Sequence, residues 1–129
     1  MTQQKNVGFG EDEAMLRDAA AKFFADHASA DKIHRQVAHD YDIHRDIECI
    51  WDQGLWRQIC DLGWTAACVP EAAGGMGMPL VGAVALAEEA GMAAFPSPLI
   101  ATFNSTFVLK ACGTETAATA LGAIAEGKA

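Results

Sequence analysis

The chain has 129 residues, 51% hydrophobic and 20% charged, which is enough for one domain with its own core and too apolar to stay unfolded. Its formal charge of −8, with nine Lys and Arg scattered along the sequence, leaves no basic stripe for a nucleic acid and no attraction to anionic lipid. Residues 1–10 lack the apolar run of a secretion signal, and the four cysteines (Cys49, Cys60, Cys68 and Cys112) show no CxxC spacing, so reduced, mostly buried thiols and a cytoplasmic protein are expected.

Helical spacing dominates. From Glu11 to His27, Met15, Leu16, Ala19, Ala20, Phe23 and Phe24 recur at helical steps, and Glu11, Asp12 and Glu13 crowd the first turn, where a helix dipole favours anions. Residues 28–43 are polar with little period and have room for a short helix. Ile47, Ile50, Trp51, Leu55, Ile59 and Leu62 mark the next amphipathic stretch. Gly54 divides it, so that Asp52 can cap a second helix, and Gly63 ends it. The short apolar segment from Trp64 to Val69 reads as a buried extended connection, because Pro70 disfavours helix in the residue before it.

A glycine-rich loop follows from Glu71 to Pro79, and then an Ala-rich helix from Leu80 to Ala93. In the Phe95-Pro-Ser-Pro98 turn, Ser97 is placed to cap the next helix with Pro98 at its first position. That helix runs to about Ala111 and stops at Gly113; Thr114 then caps a last one reaching Glu126. Residues 90–109 carry no charge over about the length that spans a bilayer, but Pro96 and Pro98 break the run, which favours a loop and a buried helix. No strand alternation and no repeat occurs. The expected fold is all-α, five or six helices in an orthogonal-type bundle, one domain over 1–129.

The residues that could carry chemistry are few. Gly74-Gly-Met-Gly77 lacks the spacing of a nucleotide-binding loop and has no strand–helix unit around it. His34, His39 and His44 step by five, which turns their rings apart on a helix instead of onto one metal. The adjacent pair Glu88–Glu89 diverges by about 100° on a helix and cannot grip one atom jointly. Ser97, Ser105 and Cys112 have no adjacent base in sequence. Catalytic and metal residues are therefore not assigned.

The stretch LWRQICDLGWTAACVPEAAGGMGMPLVGAVALAEEAGMA, residues 55–93, resembles the N-terminal domain of acyl-CoA dehydrogenases. The likeness lies in Leu62-Gly63-Trp64, Pro70-Glu71, Gly74-Gly75-Met76-Gly77 and Glu88-Glu89-Ala90-Gly91, in that order and at that separation. The opening helix with its acidic cluster and the turn before Pro98 are similar too. The last helix departs in being Ala-rich and poor in lysine.

The resemblance implies an enzyme that oxidises an acyl-CoA thioester to its 2,3-enoyl form. A carboxylate takes the α-proton and hydride passes to FAD. It also implies a larger protein whose middle β domain and C-terminal helical domain lie outside these residues, and whose subunits form a homo- or hetero-oligomer. The base and most flavin contacts belong to those other domains, so no cofactor-binding residue is assigned here. The N-terminal domain is expected to wall part of the acyl pocket through the helix after Pro98, at Leu99, Ile100, Phe103 and Asn104. The alternatives left open are a non-catalytic helical module paired with a separate flavin-bearing subunit, and a related acyl-CoA oxidase or flavin monooxygenase on the same scaffold.

Overall fold

A computed structural model of the chain describes residues 9–37 and 51–128. Among them are six α-helices and no strand: α1 (Glu11–His27), α2 (Ala30–Val37), α3 (Gln53–Asp61), α4 (Leu80–Met92), α5 (Leu99–Cys112) and α6 (Glu115–Ala125). The all-α expectation holds. The apolar positions Ile47 and Ile50, and with them the first of the two helices expected before Gly63, lie outside the described residues.

Local chemistry sets the ends. The Asp52 carboxylate accepts from the amides of Gly54 and Leu55 at 2.8 and 3.0 Å, starting α3 as the sequence suggests. Thr114 Oγ1 likewise accepts from the Ala117 amide at 3.2 Å and starts α6. Ser97 Oγ accepts from the Leu99 amide at 3.4 Å, and α5 is counted from Leu99, one residue later than expected. Gly63 and Gly113, both at positive φ, stop α3 and α5.

One connection differs from its expectation. Residues 64–69 are buried throughout, but they are not extended: Trp64–Ala66 is a turn of 3₁₀ helix and Ala67 stays right-handed helical. Amides of Ala66, Ala67 and Val69 donate to the carbonyls of Gly63, Trp64 and Ala66. Proline restricts only the residue before it, so Pro70 leaves 64–68 free to coil. A buried backbone has to find partners, and a coiled one finds them within itself.

This buried turn joins two apolar clusters. The larger one takes Ala20 and Phe24 from α1, Ile59 from α3, Trp64, Ala67 and Cys68 from the turn, Leu86 and Ala90 from α4, and Leu99 and Phe103 from α5. Its centre is aromatic, with Phe23 edge-on to Trp64 at 5.2 Å and Phe24 against Phe95 at the same separation. The smaller cluster unites Val69 with Leu121 and Ile124 of α6, alongside Leu109 of α5. α1 lies chiefly on α4, and α5 chiefly on α6.

Candidate functional site

α5, the helix for which the family resemblance raises the expectation of a pocket wall, is packed through Leu99, Thr102, Phe103 and Thr106. These positions follow three- and four-residue steps and form one stripe. Two buried threonines are tolerated because each hydroxyl donates back to a carbonyl four residues earlier, Thr102 to Pro98 at 3.1 Å and Thr106 to Thr102 at 2.9 Å. The four proposed wall residues therefore separate. Leu99 (0% exposed) and Phe103 (4%) belong to the core, whereas Ile100 (48%) and Asn104 point outward with Val108 on the next turn.

The outward side of α5 carries no charge before Lys110 and continues onto α4. There Leu80 and Val84 are exposed large apolar residues, with Ala87 and Gly91 following at helical steps. Where the two helices approach lies a shallow apolar hollow of about 180 Å³, lined among others by Ala87, Ala90, Gly91, Phe95 and Ile100. A second hollow, of about 280 Å³, sits between α5 and α6 beside Pro70, Leu109, Lys110 and Leu121. Both fall below the roughly 300–1,000 Å³ of a site that encloses a drug-sized ligand. Either can be a wall or a floor; neither is a complete binding site.

The glycine loop has no phosphate-binding geometry. Every amide from Ala73 to Met78 already donates to a backbone carbonyl: those of Met76, Gly77 and Met78 reach Ala66, Val69 and Ala67 at 2.8–3.0 Å, and that of Gly75 reaches Pro70 at 3.1 Å. A Cβ on Gly75 would fall on the Val69 carbonyl, so glycine is required there by crowding. The loop thus offers a flavin pyrophosphate no free amide.

The carboxylate pair is also structural. Glu89 is buried on α4 and accepts from Arg17 Nε of α1 at 2.9 Å; half-exposed Glu88 lies 3.5 Å from Arg17 Nη2. The Glu89 hydrogen bond raises the Arg17 pKa further, so the guanidinium stays charged at any pH the fold survives. The sequence separates the two glutamates by direction but gives no sign of their common partner, which lies 72 residues before Glu89.

Burial pushes the Cys60 and Cys68 thiols above their ordinary range, and Cys112 is exposed at the end of α5. His34 lies on α2, while His39 and His44 are outside the described residues. Among the described residues no cluster of three His, Cys, Asp or Glu is placed to hold a metal, and no helix is long and apolar enough to cross a membrane.

Comparison with known proteins bears on the same elements. A family model described as the acyl-CoA dehydrogenase N-terminal domain matches residues 10–128. The acyl-CoA dehydrogenase IpdE2 of Mycobacterium tuberculosis is 33% identical over 120 residues, covering 92% of this chain and 35% of that protein. Its namesake from Mycolicibacterium smegmatis is 31% identical over 104 residues, covering 80% and 31%. The chain thus spans about a third of the length of these curated relatives. No solved structure gives a significant match. With the helix order, the glycine loop and the Glu-Glu pair all accounted for within the matched span, the chain belongs to the acyl-CoA dehydrogenase family as its N-terminal helical domain.

Proposed function

We propose that this domain is the substrate-side wall of an FAD-dependent enzyme that dehydrogenates an acyl-CoA thioester between its second and third carbons. In this reading the acyl chain lies along the outward side of α5, touching Ile100 and Asn104, while Leu99 and Phe103 hold that helix against the core. The observation that carries it is the combination of family membership with a charge-free outer side on α5, since an acyl tail needs apolar surface and rejects buried charge. FAD and the proton-abstracting carboxylate come from parts of the enzyme beyond this domain. Glu89 is engaged by Arg17, and the loop amides by their own backbone. The enzyme is proposed to be cytoplasmic and to work as an oligomer.

The test uses the protein in which this domain is joined to its flavin-binding domains. Acyl-CoA is expected to bleach the oxidised flavin band, and Ile100→Ala to raise the KM about fivefold, corresponding to about 1 kcal/mol of lost apolar contact, with flavin content unchanged. The 129-residue chain alone is expected to purify without flavin absorbance. Bound flavin in that chain, or a KM unaffected by Ile100→Ala and Asn104→Ala for acyl groups of every length, would overturn the proposal.

A further inference from the structure

We draw no further inference here: the strongest candidate, the uncharged stripe along α4 and α5 that meets at the hollow beside Gly91 and Ile100, belongs in part to the site already described, and nothing in the structure shows what else covers it.

Discussion

Leu99 and Ile100 are neighbours in sequence with opposite surroundings, one fully enclosed and the other half open. Truncating the first removes a side chain that touches the main core, and Leu99→Ala is expected to cost about 2–5 kcal/mol. Ile100→Ala is expected to change stability by about 0.5 kcal/mol or less, since its outer half has no neighbour to lose. Chemical denaturation of both variants checks this, and equal losses would contradict the orientation of α5. The sequence could not separate the two sides of this helix. Isoleucine, phenylalanine, valine, leucine and threonine make up most of it, so its pattern carries only a weak polar side. That side is Asn104 and Ser105, both exposed, with Ile100 one turn earlier. The buried threonines obscure that signal by satisfying their hydroxyls locally.

At the scale of the element, turns were more legible than connections. Asp52 and Thr114 announce their helices because a short oxygen-bearing side chain before an apolar run has a specific use there, and Gly63 and Gly113 announce helix ends for a comparable reason. The apolar composition of residues 64–69 signals their burial but not their 3₁₀ coil, since it reports exclusion from water and not dihedral angles. Composition places the end of α4 at Ala93, which is its C-cap, but gives no sign of the left-handed residue that follows. Ala94 stands at φ +49°, closing the helix through Phe95 N–H to the Ala90 carbonyl and Ala94 N–H to that of Gly91. Alanine is strained in this left-handed position, where glycine is not. Ala94→Gly is therefore expected to stabilise by about 0.5–1 kcal/mol. Gly75→Ala, whose new methyl meets the Val69 carbonyl, is expected to destabilise by about 3 kcal/mol or more. Thermal melts of the two variants should shift in opposite directions; a shift of the same sign in both would count against these backbone assignments.

For the molecule as a whole, the fold class and helix order were readable from periodicity, whereas the tie between its first and fourth helices was not. Residues 72 apart in sequence leave no local pattern. The Arg17–Glu89 bond ties α1 to α4, the helix it lies chiefly upon, and each partner is largely shielded from water. Removing the buried acceptor in Glu89→Ala is expected to cost about 2–3 kcal/mol, somewhat less than a fully enclosed pair because Arg17 keeps Glu88 and some solvent. Glu88→Ala, at the more exposed carboxylate, is expected to stay within about 0.5 kcal/mol. Urea midpoints compared at one ionic strength distinguish the two, and a larger loss for Glu88 would reverse the assignment of the anchoring acid.

The bonding of the glycine loop has a consequence in time as well as in shape. Six successive amides, from Ala73 to Met78, are each held by a carbonyl, five of them by carbonyls of residues 66–70 beneath. Deuterium should therefore replace these protons slowly for so glycine-rich a sequence, and only as fast as the underlying layer itself opens. Peptide-resolved exchange is expected to show 73–78 taking up label alongside 64–69. Immediate labelling of the loop over a protected 64–69 would mean that the two part company in solution.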